Sequence, residues 1–252
     1  MAQLHWDVFC QNTLDNELVA GCFASGRDQT YLQWMLHAWG WTVSVSLTAL
    51  VLALVFGSII GILRTLPDSP WLVRFGNAWV ELFRNIPLLV QIFLWYFVLP
   101  KIITPMKDLP PFILVVCALG FFTSARIAEQ LRSGLQALPR GQRHAGMAVG
   151  FSTWQTYRYV LLPMAYRVIM PPLTSESMNI FKNSAVAFAV SIPELTQFYL
   201  QAGEETSAQI VIYIGVVILY VISAMAVNRV MKLIERKTRV PGFVAAAGSG
   251  GH

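Results

Sequence analysis

Charged and amide side chains interrupt stretches of this chain that are otherwise apolar, and their types limit the chemistry open to it. Arg84 follows Glu81 by three residues, and Arg126 precedes Glu129 by three. One segment, VIMPPLTSESMNIFKNSAVAFAVSI, carries Ser175, Glu176, Asn179, Lys182 and Asn183, with Ser184 as a further hydroxyl. A guanidinium stays charged inside protein and grips a carboxylate by two parallel hydrogen bonds. Arg126 therefore has three readings: a seat for a carboxylated ligand, an ion pair with Glu129 on one helix face, or a group snorkelling toward a surface. For Arg84 the pair with Glu81 is the expected role.

Catalytic patterns are missing from the chain. It has no nucleophile elbow, no metal-binding helix motif and no paired carboxylates with a partner base. GCFASGR, from Gly21 to Arg27, lacks the lysine and hydroxyl of a phosphate loop, so no ATPase site of its own is expected. His5, His37, His144 and His252 are scattered without metal-ligand spacing, and no metal site is expected. A disulfide between Cys10 and Cys22 is chemically possible on an oxidising side, with two unrelated thiols as the favoured reading. Cys117 reads as packing inside a helix.

The elements that position these residues are membrane spans. Of 252 residues, 56% are hydrophobic and only 12% charged, half the charge of an ordinary soluble domain. A bilayer core needs about 20 consecutive apolar residues per helix. Thr42 to Leu63 and Ala208 to Val227 meet this without a charge; Trp79 to Leu99, Pro111 to Leu131 and Val168 to Ile192 do so with polar interruptions. The expectation is an all-α integral membrane protein of about five spans. About forty residues precede the first span and no small-residue cleavage site follows it, which argues against a removed signal peptide.

Net charge is +5, and its distribution argues for a membrane and against nucleic acid. With the N-terminus outside, eleven Lys and Arg fall on the inner side, among them Arg64, Arg74, Arg132, Arg140, Arg143, Arg158 and Arg229, and three, Arg27, Lys101 and Lys107, on the outer. The positive-inside rule then puts the C-terminus in the cytoplasm. Residues 1–35 read as an outer segment, 36–240 as the membrane domain with an inner loop at 132–163, and 241–252 as a flexible inner tail. Gly57 and Gly61 stand four apart, a weak signal for close helix approach. Within the inner loop, HAGMAVGFSTWQTYRYVLLP reads as a short helix, a turn at Gly150 and a second helix stopped by Pro163, a finger shaped for docking.

That finger resembles the EAA loop of ABC importer permeases. His144, Ala145 and Gly146 align with the leading Glu-Ala-Ala, Gly150 with the glycine, and Leu162 and Pro163 with the terminal pair; His144 departs from the family glutamate. ELFRNIPLLVQ, IAEQLRSGLQALPRGQ and PPL resemble the polar-amino-acid branch. FTSARIAEQLRSGLQALPRGQ, YRYVLLPMAYRVIMPPLTSESMNIFKNSA and ERKTRVPG are most similar to glutamate/aspartate importer permeases.

The resemblance implies a type I importer permease in a bacterial inner membrane, paired with a like or unlike second permease. Its further implied partners are two cytoplasmic ATPase subunits that bind ATP and Mg, a periplasmic amino-acid-binding protein and membrane lipid. His144 to Gly146, Gly150, Leu162 and Pro163 would couple to the ATPase. Arg126, Ser175, Glu176, Asn179, Lys182 and Asn183 would line the substrate path. The rival readings are a permease for another polar amino acid, a self-sufficient secondary transporter or channel, for which five spans without a repeat are few, and a membrane enzyme.

Overall fold

The computed structural model describes residues 5–24, 29–67 and 69–238 of the chain. Arg27, Arg239 and the tail 241–252 lie outside the described residues. Helices dominate, in the order α1 Tyr31–Leu63, α2 Pro70–Asn85, α3 Leu88–Ile102, α4 Pro111–Gln136, α5 Arg140–Ala148, α6 Leu162–Asn183, α7 Leu195–Thr206 and α8 Gln209–Thr238. Among the described residues, α1, α4 and α8 are each long and apolar enough to cross a bilayer, and α2 with α3 would make a fourth, broken span. The segment 168–192 is helical to Asn183 and then tightens into a 3-10 turn, Ser184–Val190; its polar side chains set it apart from the apolar spans.

Contacts divide the chain into two compact units. The first comprises the described residues of Met1–Ala49, Pro87–Leu119 and Ile180–Met225. Its core packs Val8, Tyr31, Met35 and Ala38 against Leu195, Phe198, Val211, Ile212 and Val216. Helix α1 starts eleven residues before the expected Thr42 because Thr30 and Gln33 form a reciprocal cap: the Gln33 N–H donates to Thr30 Oγ1 at 3.3 Å and the Thr30 N–H to Gln33 Oε1 at 3.0 Å. Bridges Gln11–Leu18 and Asn12–Thr30 fold the N-terminal segment over this cap. They bring Cys10 and Cys22 together, and the two are joined in a disulfide. The unrelated-thiol reading is thereby corrected: the pairing is set by a local fold whose bridges connect residues 7 and 18 apart, which cysteine spacing alone does not reveal.

The second unit comprises the described residues of Leu50–Ile86, Gly120–Asn179 and Ala226–His252. Here α1 and α4 approach closely. A Cβ at Gly57 would stand 2.7 Å from the Ile127 side chain, and one at Gly61 2.9 Å from Leu131, so any larger residue would force the helices apart. An aromatic cluster of Phe56, Trp79, Phe83 and Phe121 packs beside them, with Trp79 Nε1 donating to Ser124 Oγ at 3.1 Å.

Prolines shape the remaining breaks. The expected single helix Trp79 to Leu99 is two helices, since Ile86, held extended by the following Pro87 (φ −93°, ψ 127°), ends α2. Two wide π turns, Leu94–Val98 and Tyr157–Leu161, each sit just ahead of a proline, Pro100 and Pro163. A proline ring crowds the carbonyl four residues back and offers no N–H to it. The helix answers by bonding five residues back at the preceding position, Leu99 N–H to Leu94 and Leu162 N–H to Tyr157.

Candidate functional site

Two arginine–glutamate arrangements lie within the second unit, and they differ in kind. Arg64, its side chain only 6% exposed, spends its donors: Nη1 reaches Glu129 Oε2 at 2.6 Å and Nε reaches Asn77 Oδ1 at 2.8 Å. Glu129 also accepts from Arg132 Nη1 at 3.2 Å and has Arg84 at 3.9 Å. The expected Arg84–Glu81 pair is corrected: Glu81 stands exposed without an ion pair among the described residues, while Arg84 lies near the carboxylate that already gathers Arg64 and Arg132.

Arg126 does not pair with Glu129, whose oxygens are taken. Its Nη1 lies 3.8 Å from Glu176 Oε2, beyond hydrogen-bond length, and its Cζ sits 4.8 Å from the centre of the buried Phe122 ring. Among the described residues the guanidinium makes no hydrogen bond, and the side chain is 43% exposed against 13% for Glu176. A planar fork with free donors is thus held in place by an aromatic face and a loose counter-ion.

Along α6 the polar groups separate by face. Leu173, Thr174, Ser177, Ile180 and Phe181 are buried, and Thr174 and Ser177 return their hydroxyls to the carbonyls of Met170 and Leu173. Ser175 and Lys182 are exposed, and Glu176, Asn179 and Asn183 are half-buried. Steps of three and four residues place Ser175, Asn179 and Lys182, and likewise Glu176, Asn179 and Asn183, on one side of the helix. Ser184 is buried, donating to the Phe181 carbonyl at 2.7 Å, and is removed from the exposed set. Such a stripe at membrane depth faces a wet path or another protein.

The first arm and the turn of the finger are built as the sequence reads, but Pro163 does not stop the second arm: the helix runs from Thr153 through the π turn Tyr157–Leu161 into α6, with Pro163 at its second residue, where the wide turn accommodates the ring. Gly150 has φ +86°, a conformation that glycine adopts freely. Its N–H bonds Met147 and that of Phe151 bonds Gly146, closing α5 in the paired pattern typical of a left-handed helix end. Ser152 and Gln155 form a reciprocal cap on the next turn. Buried Gly146 lies against Thr156, where a Cβ would come within 2.9 Å, so the two arms touch at that point. His144 and Ala145 are exposed, as are Met147, Val149, Phe151 and Trp154, an apolar rim on a polar finger. Leu162 and Pro163 follow the second π turn. At the root, a cavity of about 550 Å³ is lined by Arg64, Thr65, Leu138, Arg140, Arg143 and Tyr157, whose hydroxyl donates to the Thr65 carbonyl at 2.6 Å.

One charged residue escaped sequence reasoning. Glu194 is fully buried at the start of α7, a helix of twelve residues outside the apolar spans. It accepts from the Thr196 and Gln197 N–H groups at 2.9 and 3.0 Å and from the Tyr220 hydroxyl at 2.8 Å. Burial pushes its carboxyl up to about 7, against the pull of those donors. No group of three His, Cys, Asp or Glu among the described residues is arranged to hold a metal ion.

Residues 53–240 match the family described as binding-protein-dependent transport system inner membrane component. The chain belongs to that family. This inner-membrane component is 43% identical to the glutamate/aspartate import permease protein GltJ of Escherichia coli K12 over 94% of this chain and 96% of that one. It is 29% identical over 79% of its length to the glutamine transport system permease protein GlnP of the same strain, covering 90% of that protein. Among solved structures, an amino acid ABC transporter crystallised with histidines matches with TM-score 0.71 at 26% identity, over 82% of this chain and 95% of that one. An inward-facing MetNI methionine ABC transporter matches with TM-score 0.70 at 22% identity, over 83% and 98%, a likeness of fold. The all-helical permease fold of ABC importers is therefore the fold of this family member.

Proposed function

We propose that this permease carries acidic amino acids across a bacterial inner membrane as one subunit of an ATP-driven importer. The observation that carries the reading is Arg126, a guanidinium on a helix of the apolar class whose hydrogen-bond donors are unspent. A dicarboxylate crossing a low-dielectric path needs a compensating cation. Its likeness to a glutamate/aspartate permease along nearly the whole chain supports the same substrate class. Ser175, Glu176, Asn179, Lys182 and Asn183 supply the polar side of the path.

Hydrolysis of ATP with Mg belongs to partner ATPase subunits. The finger from His144 to Gly146 through Gly150 to Leu162 and Pro163 takes up their motion, its apolar rim seated on them. A second permease and a periplasmic binding protein complete the assembly. The N-terminal segment faces the periplasm, an orientation supported by the charge distribution and by the Cys10–Cys22 disulfide, which needs an oxidising compartment.

Reconstituted with its ATPase, partner permease and binding protein, the chain should show ATP hydrolysis stimulated by L-glutamate and L-aspartate. Stimulation by L-glutamine alone would favour the second reading, a permease for uncharged polar amino acids, for which the likeness to GlnP speaks. A cysteine at Thr104 should react with an impermeant thiol reagent added outside and one at Gln142 should not; the reverse pattern overturns the orientation. Gly150→Arg should insert normally and abolish uptake, and normal uptake would remove the finger's coupling role.

A further inference from the structure

The charges nearest Arg126 point beyond a passive seat. Glu176 is the counter-ion, yet the two are held at 3.8 Å without a hydrogen bond, and Glu176 is itself only 13% exposed with no hydrogen-bonded partner among the described residues. Arg64 in the same unit shows what a spent guanidinium looks like, with contacts of 2.6 and 2.8 Å. A loose pair at a half-open site is a pair poised to part, since little hydrogen-bond energy is lost when another carboxylate replaces the first.

We infer that Glu176 is an internal stand-in for the substrate: the side-chain carboxylate of an acidic amino acid displaces it from Arg126, and the released Glu176 carboxylate takes the substrate's ammonium group. This deepens the proposed function and rests on Arg126 being the substrate contact. The exchange leaves no charge without a partner and adds one charged contact. Before entry there is one arginine–carboxylate pair; afterwards there is one arginine–carboxylate pair and one carboxylate–ammonium pair. With the ligand's α-carboxylate directed away from Arg126, a side-chain carboxylate opens the pair and the amide of glutamine does not, because an amide cannot match the attraction of Glu176 for the guanidinium. Phe122 holds the guanidinium plane in place while its partner changes. After the ligand leaves, Glu176 closes back on Arg126, so the empty path is not left with an uncompensated charge. Selectivity on this account comes from competition inside the permease, in addition to whatever a binding protein selects.

The test uses the assembled transporter, permease pair with ATPase, in lipid nanodiscs. Equilibrium binding of radiolabelled L-glutamate and L-glutamine is measured without binding protein, and uptake in proteoliposomes with it. Glu176→Gln removes both the competitor for Arg126 and the partner of the substrate's ammonium, so L-glutamate binding should change little while the preference for glutamate over glutamine falls about tenfold, a typical size for coupling between two sites, and uptake slows. Glu176→Asp draws the carboxylate back by one methylene and should give the same changes more weakly, which keeps the test open if the glutamine variant assembles poorly. An unchanged preference for glutamate over glutamine in both variants, with uptake still lost in Arg126→Ala, would overturn the exchange and leave the proposed function standing. Undiminished glutamate uptake by Arg126→Ala would overturn both.

Discussion

Arg64, just past the end of α1, and Arg126, on α4, sit in the same unit, yet one is knotted into its surroundings and the other is nearly free. Arg64 holds Glu129 and Asn77 at 2.6 and 2.8 Å with almost no solvent contact. Arg126 faces Glu176 at 3.8 Å across an aromatic ring with nearly half its side chain exposed. The difference teaches how to separate structural charge from working charge in a membrane protein. A buried charge hydrogen-bonded to fixed partners stabilises one arrangement, and removing a partner strands the other. A charge with unspent donors has capacity left for a ligand.

The sharpest way to break this comparison is to truncate both arginines. Arg64→Ala should destabilise the purified complex by about 3–5 kcal/mol, because Glu129 and Asn77 lose their principal partner. Thermal unfolding in detergent reads the loss, and a stability like that of the unchanged protein would dissolve the distinction.

A third carboxylate extends the comparison, since Glu194 is buried against neutral donors with no arginine beside it. Its carboxyl titrates at about 7 in the folded chain against 4.5 unfolded. The folded state therefore binds more protons between those values, and the stability contributed is fully present below pH 4.5 and lost as pH rises through 7. Lowering the pH from 8 to about 5.5 should raise the unfolding temperature, by a shift worth up to about 2 kcal/mol. Glu194→Gln should flatten that dependence, and an unchanged slope in the variant would assign it to other groups.

Arg64→Lys sharpens the contrast at a smaller scale. Charge is kept, but the hydrogen bond from Nε to Asn77 is lost and the amide oxygen is left unpaired, at a cost of about 1–3 kcal/mol. Equal stability in the lysine variant would mean that the charge alone matters there. The smallest effect is expected at the loose pair: a double-mutant cycle of Arg126→Ala with Glu176→Ala should give a coupling energy below about 1 kcal/mol in unfolding. A coupling as large as that between Arg64 and Glu129 would make Arg126 a structural residue.

What could be read in the sequence follows the range of the interaction. The turn of the finger was legible because its signal is local, Gly150 for a left-handed helix end; Pro163 misled, since the π turn ahead of it lets the second arm run on into α6. The polar stripe of α6 was legible from helical spacing. The pairings were not. Glu129 and Arg64 are 65 residues apart, while the neighbours at three residues, Glu81 and Arg126, drew attention by proximity and make no such pair. Glu194 gives no local signal, because its hydroxyl partner, Tyr220, lies 26 residues on. Serines, in place of glycine, carry the left-handed ends at Ser191 and Ser207, which concealed where the 3-10 segment and α7 stop. The cap that starts α1, Thr30 with Gln33, was a readable pattern hidden in a tryptophan-rich approach.

Helix α1 runs for 33 residues, a rod of about 50 Å. Hydrocarbon in a bilayer is about 30 Å deep, and even at a tilt of about 40°, the steep end for membrane helices, the rod would span about 38 Å along the normal. At least one end therefore stands clear of the lipid, and the disulfide-strapped N-terminal segment, with its bridge from Asn12 to Thr30, is joined to the end at Tyr31. Any excess of rod at that end would hold the segment off the headgroups, and removing two turns of α1 would take about 10 Å from that stand-off without touching a residue of the segment.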